Sequence, residues 1–300
     1  MRTPGLNFVR VAAIQFLNPA PLMWDFEHPP RNSRLAQRYI LNYTQPSQCA
    51  EDLLSGRADL GLIPIAALTP ALRIVPGCTI ASLDHVRSIQ LILKSPHTLD
   101  TVQTIAADTA SRSSLAYTEI LFRKFVGTNP AFLQHSADPI AMLQHSDAAL
   151  LIGDPALLAL EARPHIEATV GPCTWIDLAH EWRSRTGLPW VAAVWATRAE
   201  ALQKITPHQL IDDLNHSRIH GQANIDALVA QWTPRIALPP ATILHYLTRN
   251  IHYTLDAPCI EAITLFRRYA AEIGALPPLP QLTFLDSNAT SAPQAASEPA

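Results

Sequence analysis

Two stretches of this chain match one another without a gap, and that repetition limits the available folds more than any other feature. Leu53 to Leu68 (LLSGRADLGLIPIAAL) lies over Met142 to Leu157 (MLQHSDAALLIGDPAL). Each copy reads as a helix end, a buried strand, a sharp turn and an Ala-Leu that can open another helix. A second pair matches upstream: Arg10 to Asn18 (RVAAIQFLN) over Thr104 to Arg112 (TIAADTASR), with Ala12-Ala13 on Ala106-Ala107 and Asn18 on Arg112. Apolar runs of strand length that alternate with helices specify mostly parallel sheets, so the repetition predicts two related α/β lobes. Ligands of such sheets bind beyond the carboxyl ends of the strands. Asn18, the turn at 111–114 and Asp154 all fall there, and lobes that face each other bring them to one cleft.

The remaining elements fit the same plan. Val9 to Phe16 is a strand broken by Asn18, Pro19 and Pro21, and Tyr39 to Tyr43 is a second short strand. Pro46 to Ser55 has Pro and Ser at its start and Gly56 past its end, as a helix should. Ala58 to Pro64 is a buried strand, and Cys78 to Lys94 carries another around Ser88 to Leu93. Gly187 to Trp195 (GLPWVAAVW) reads as a strand returning to the first lobe. The expected division is therefore residues 1–94 and 190–285 in a discontinuous lobe 1, with 95–189 inserted as lobe 2. Pro207 to Trp232 and Pro239 to Ile273 have helical spacing and should pack around lobe 1. From 286 to 300 the chain is small, polar and Pro-bearing, which predicts a disordered tail.

Composition narrows the function. A net charge of −3 offers no basic face for nucleic acid, although a local pocket can still suit an acidic metabolite. The N-terminus lacks an export signal, and no apolar run approaches the roughly 20 residues that span a bilayer, so a soluble, cytoplasmic protein with no membrane partner is expected. Cys49, Cys78, Cys173 and Cys259 are scattered, which suggests neither a zinc site nor a redox motif. Asp25, Glu27 and His28 fit no familiar metal-ligand spacing and read as a solvated loop; His216 and His220 lack the acid of an H-E-x-x-H pattern. His180-Glu181 reads as a cap or a solvent-facing pair. Gly-x-Ser-x-Gly, Gly-x-Gly-x-x-Gly and Walker sequences are all missing.

What remains is a set of neutral or cationic donors at strand ends: Asn18, Ser88, Thr109, Ser111, Arg112, Ser113 and Ser114. Within Ile105 to Phe125, a strand, a polar turn and a helix, the serines sit where a helix begins and leaves backbone N–H groups without partners. With the helix dipole and Arg112 they can cradle a carboxylate or phosphate, or simply cap the helix. Such donors bind and orient an anion better than they do acid–base work.

QFLNPAPL at 15–22, GRADLGLIPIAAL at 56–68, VRSIQLILKS at 86–95, AADTASRSSLA at 106–116, LLIGDPAL at 150–157 and LAHEWRSRTGLPWVAAVWATR at 178–198 together resemble the MqnA family, the chorismate dehydratases of menaquinone biosynthesis by the futalosine route. The resemblance runs in order over residues 9–275. It implies a two-lobed, periplasmic-binding-protein-like type II fold used as a cytoplasmic enzyme, with a ligand cleft between the lobes. The implied reaction removes water from chorismate to give 3-[(1-carboxyvinyl)oxy]benzoate, a hydro-lyase step that calls for no cofactor or metal. It implies active-site roles for Asn18 and Ser88, which would orient one carboxylate and the leaving group. Thr109, Ser111, Arg112, Ser113 and Asp154 are the expected substrate-binding positions, with the helix start clamping the other carboxylate. Asp108, Asp154 or the substrate's own enolpyruvyl carboxylate could serve as base. Phe16 stands where the family usually has Tyr, and Pro155 follows Gly153-Asp154 where it often has another residue. A 1,4-dihydroxy-6-naphthoate synthase of the same pathway is a weaker match, since its Cys-Pro-Asn-Asp-like run is missing. A solute-binding protein for a small carboxylate is the non-enzymatic alternative.

Overall fold

A computed structural model describes residues 8–107 and 112–286 of the chain. Its strands form two five-stranded sheets. In chain order they are β1 (Val9–Ile14), β2 (Tyr39–Thr44), β3 (Leu60–Pro64), β4 (Leu72–Ser82), β5 (Ile89–Lys94), β6 (Thr104–Ala107), β7 (Ala131–Gln134), β8 (Ala148–Ile152), β9 (Cys173–Asp177) and β10 (Trp190–Arg198). One sheet has the order β2-β1-β3-β10-β4 and the other β7-β6-β8-β5-β9.

The two orders are the same plan. β1 pairs in parallel with β2 and β3, as β6 does with β7 and β8. Each sheet then takes one antiparallel strand, β10 between β3 and β4, and β5 between β8 and β9. That strand is the one the chain delivers from the opposite sheet. The repeated sequence is thus a repeated topology, with one difference of register. Matched as above, Leu60 corresponds to Ala149, yet Val11 pairs with Leu60 while Ile105 pairs with Ala148.

Central strands explain why the sequence was readable. β3 and β8 are buried at every residue, because helices cover both faces, and so appear as unbroken apolar runs. The edge strands β7 and β9 are half-exposed and carry polar residues, so the sequence reading did not find them. The stretch Cys78 to Lys94 is two strands rather than one. β4 ends at Ser82 in the first sheet, and β5 begins at Ile89 in the second. Residues 89–94, assigned from sequence to lobe 1, therefore hydrogen-bond within the second sheet. The apolar character is continuous across the crossing, which hides the change of sheet. The expected tail falls outside the described residues beyond Asp286.

The helices at 207–223, 225–232 and 257–272 follow β10. Helix Pro207–Ala223 is fastened by buried ions. Asp213 accepts from Arg31, Arg38 and Tyr39, and Ser217 donates to the Leu22 carbonyl at 2.7 Å while accepting from Asp25 N–H at 3.0 Å. Asp25 is buried rather than solvated as its loop suggested, because Arg31 and His220 contact its carboxylate at 3.1 and 2.8 Å. One turn on, Gly221 lets the helix touch the Pro21 backbone; a Cβ there would lie 2.0 Å from the Pro21 carbonyl oxygen. This helix therefore sets the position of the loop that carries Asn18. Gly221→Ala should lower unfolding free energy by about 1–3 kcal/mol, the usual cost of overpacking, measured by urea denaturation.

Candidate active site

Beyond the end of β1 the chain turns through Phe16, Leu17 and Asn18. Leu17 N–H donates to the Asp154 carboxylate at 3.1 Å, a direct tie from the first sheet's loop to the helix after β8. Facing it, Ser88 stands immediately before β5, held by the bond from Gly153 N–H to its carbonyl at 2.7 Å. The preceding residue, Arg87, has φ of 63°, an uncommon conformation for a side-chain-bearing residue. The carboxylate of Asp177 holds it there, accepting from Arg87 N–H at 2.7 Å and Val86 N–H at 3.3 Å.

Between these loops runs a narrow slot of about 500 Å³, mouth included. Its walls include Phe16, Asn18 and Trp190 from one side and Ser88, Ser114 and Gly153 from the other. The aromatic ring of Phe16 fits because Gly153 has no side chain: a Cβ would lie 2.7 Å from the ring, and φ of 62° further favours glycine. Phe16 separates this slot from an outer cavity of about 1000 Å³, solvent mouth included, which Asp154, Trp232 and Arg235 help to line.

The residues singled out from sequence divide into groups. Asn18 and Ser88 meet across the slot. Ser113 is next to it but committed elsewhere; its hydroxyl accepts from Ala66 N–H at 3.2 Å and donates to the Ala192 carbonyl at 3.3 Å. Arg112 does not line the slot. Its guanidinium is half-exposed and lies 3.5 Å from Glu51. Ser114 lines the slot in its place. Asp154 lies behind Phe16, on the outer cavity. Burial pushes its carboxyl up to about 6, opposed by the Leu17 N–H. Asp108, Thr109 and Ser111 lie outside the described residues.

Two polar side chains escaped the sequence reading. Trp190, 1% exposed, lines the slot, and its indole N–H has no hydrogen-bond partner among the described residues. In GLPWVAAVW it registered only as a strand residue. Tyr246, also 1% exposed, lies against Ser88 and Asn18, and counted only as one more position between the helically spaced Ile243 and Leu247. As for metal ligands, the described residues bring together Asp84, His85 and His180, and His252, Asp256 and Cys259. Both sets are already bonded internally: His180 and His85 contact Asp84 at 2.7 and 3.0 Å, and His252 contacts Asp256 at 3.0 Å. No helix among the described residues is long and apolar enough to cross a membrane.

Comparison with solved structures defines the class. The fold resembles a protein from Archaeoglobus fulgidus, with a TM-score of 0.69 at 15% identity over 91% of this chain and all of that one. It also resembles a Candida albicans protein described as having the generic periplasmic binding protein fold, with a TM-score of 0.62 at 11% identity over 94% of this chain and 98% of that one. Two lobes and a cleft of this kind make the chain a periplasmic-binding-protein-like α/β protein. Within that class it belongs to the menaquinone biosynthesis family, whose sequence profile matches residues 9–272. A relative is the chorismate dehydratase of Thermus thermophilus, 30% identical over 226 residues, which cover 71% of this chain and 80% of the relative.

The Asp154 carboxyl predicts a pH effect. Its folded value, about 6, is above the ordinary 3.8, so ionisation opposes folding. The cost is nil below about 3.8 and complete above about 6; two units correspond to about 3 kcal/mol. Asp154→Asn keeps an oxygen for Leu17 N–H and removes that cost. It should exceed the wild type in stability by up to about 3 kcal/mol at pH 8, with the gap closing as pH falls to 4, by urea denaturation at each pH.

Proposed function

We propose that the protein is a chorismate dehydratase, a hydro-lyase acting in the cytoplasm on the way to menaquinone. The observation that carries this reading is the meeting of Asn18 and Ser88 across one narrow slot, since they come from loops 70 residues apart and are the two positions the family resemblance marks for chemistry.

The reaction suits such a slot. The C3 proton of chorismate is acidified through the C1–C2 double bond by the ring carboxylate. When it leaves, the electron pair of the C3–H bond becomes the C3–C4 π bond, the C4–O bond breaks, and hydroxide departs with that proton as water. Aromatisation supplies the driving force. The site has to hold the substrate, stabilise charge that grows on the ring carboxylate, and assist the departing hydroxyl. Preorganised neutral donors in a water-poor slot do this effectively, because their dipoles need no reorganisation as charge moves.

Asn18 and Ser88 orient the ring carboxylate and the leaving hydroxyl. Ser114, the first turn of helix Arg112–Ile120 and the Trp190 indole face the remaining oxygens. The described lining of the slot includes no acidic side chain, and Asp154 is behind Phe16. This favours the enolpyruvyl carboxylate of the substrate as the base, with Asp154 positioning the Asn18 loop through Leu17.

Incubation with chorismate should yield one aromatic product, followed by its ultraviolet absorbance and proton NMR spectrum. Asn18→Ala and Ser88→Ala should each cost about 10²–10³ in kcat, whereas Asp154→Asn should stay within about tenfold of wild type. Binding of chorismate without turnover would replace this reading with that of a solute-binding protein. Near-normal rates in both alanine variants would remove the roles given to Asn18 and Ser88.

A further inference from the structure

The chain crosses from the first sheet to the second through residues 83–88, and the structure packs a π-helical turn, Tyr246–Asn250, against that crossing. The turn is closed by a bond from Ile251 N–H to the Tyr246 carbonyl at 3.2 Å. Turns of this kind interrupt regular helix at a cost and recur at functional sites. Here the two ends of the turn reach the same segment. Asn250 donates to the His85 carbonyl at 2.9 Å, while the Tyr246 hydroxyl lies beside the Ser88 hydroxyl and the Asn18 amide. Just past the turn, His252 continues the contact by pairing with Ala81 at the end of β4.

The Tyr246 hydroxyl is enclosed, and no described residue makes a well-formed hydrogen bond with it. Burial raises the phenol above its ordinary range, eased in part by the Ser88 hydroxyl and Asn18 amide beside it, so it stays protonated. A buried polar group without a good partner costs stability, and a phenylalanine of the same shape would avoid that cost. Of the other buried tyrosines, Tyr39 donates to Asp213 and Tyr117 to the Val191 carbonyl, while the Tyr253 hydroxyl, like that of Tyr246, has no partner among the described residues. The Tyr246 hydroxyl therefore contributes little to folding where it stands; what sets it apart from that of Tyr253 is its place beside Ser88 and Asn18.

We propose that Tyr246 is a positioning residue for the Asn18–Ser88 pair: its hydroxyl sets the orientation of the Asn18 amide and the Ser88 hydroxyl toward the slot. Its consequence for turnover rests on the chorismate dehydratase reading. Because the group is sealed behind the pair, it acts through them and does not touch substrate. Loosening two oriented donors lowers the rate of the chemical step more than it weakens substrate binding.

The test is Tyr246→Phe with two independent readouts. In protein labelled with ¹⁵N-asparagine, the Asn18 side-chain amide signals are assigned by their loss in Asn18→Ala. In Tyr246→Phe they should shift, and their exchange with water should quicken about tenfold. With chorismate, kcat should fall about ten- to hundredfold while KM stays within about threefold, and the melting temperature should not drop. Unchanged Asn18 signals overturn the proposal. So does a kcat within about twofold of a wild type that turns chorismate over. Loss of folding in Tyr246→Phe also overturns it, because the hydroxyl would then be supporting the fold rather than the site. If the wild type is inert toward chorismate, the functional reading fails by itself and the amide signals still decide the role of Tyr246.

Discussion

One carboxylate, that of Asp177, ties together the two places where the chain passes between sheets. It ends β9, caps helix Leu178–Thr186 through Ala179 and His180 N–H, and reaches across to Val86 and Arg87 N–H on the outgoing crossing. Gln90 adds a bond at 3.3 Å. Burial raises this carboxyl above its ordinary value, with the backbone N–H donors opposing the rise. An acceptor so placed is worth more than one more cap, since removing it would leave several buried N–H groups without partners at once. It also holds Arg87 in its left-handed conformation, which turns the next residue, Ser88, into the slot. The position of Ser88 thus depends on a carboxylate that is not itself part of the described slot lining.

The slot gathers donors without gathering charge. The described lining holds no cationic side chain: Arg112 faces Glu51, and Arg235 stacks near Trp232 at the outer cavity. A cation would strengthen capture of a dicarboxylate, but it would also hold substrate and transition state almost equally. Neutral dipoles in a slot walled by Phe16, Ile14 and Ile152 act over short range and discriminate by geometry. This places a heavier demand on the orientation of each donor.

Much of the fold was legible in the sequence because strands buried on both faces must be apolar throughout. LGLIP and AALLI are buried throughout, and VRVAAI everywhere but at Arg10, and their repetition carries the two-lobe plan. β7 and β9 could not be read in this way, since a strand exposed on one side needs no such run. The site was legible in the same uneven way. Asn18 and Ser88 sit at ends of readable strands and carried a family likeness. A guanidinium at a helix start is chemically suited to an anion, but nothing in a sequence reveals that Glu51 from another helix stands beside Arg112. Ser113 likewise spends its hydroxyl on two backbone groups, Ala66 and Ala192, that are 47 and 79 residues away. Long-range partners of this sort carry no local signal, and Tyr246 was hidden for the same reason.

Phe16 and Gly153 show how the two copies of the repeat become one site instead of two. They follow β1 and β8, strands of different copies, and each is shaped to the other: the ring needs the space a Cβ would fill. A residue with a side chain at 153 would hold the loops apart and merge the slot with the outer cavity. Water would then reach the slot, and the dipoles that line it would be screened. An internally repeated fold binds ligands by bringing two similar strand ends together. Catalysis at that junction further requires that the ends stop being alike, one bulky and one bare, so that they close on each other tightly enough to leave room for substrate and little for solvent.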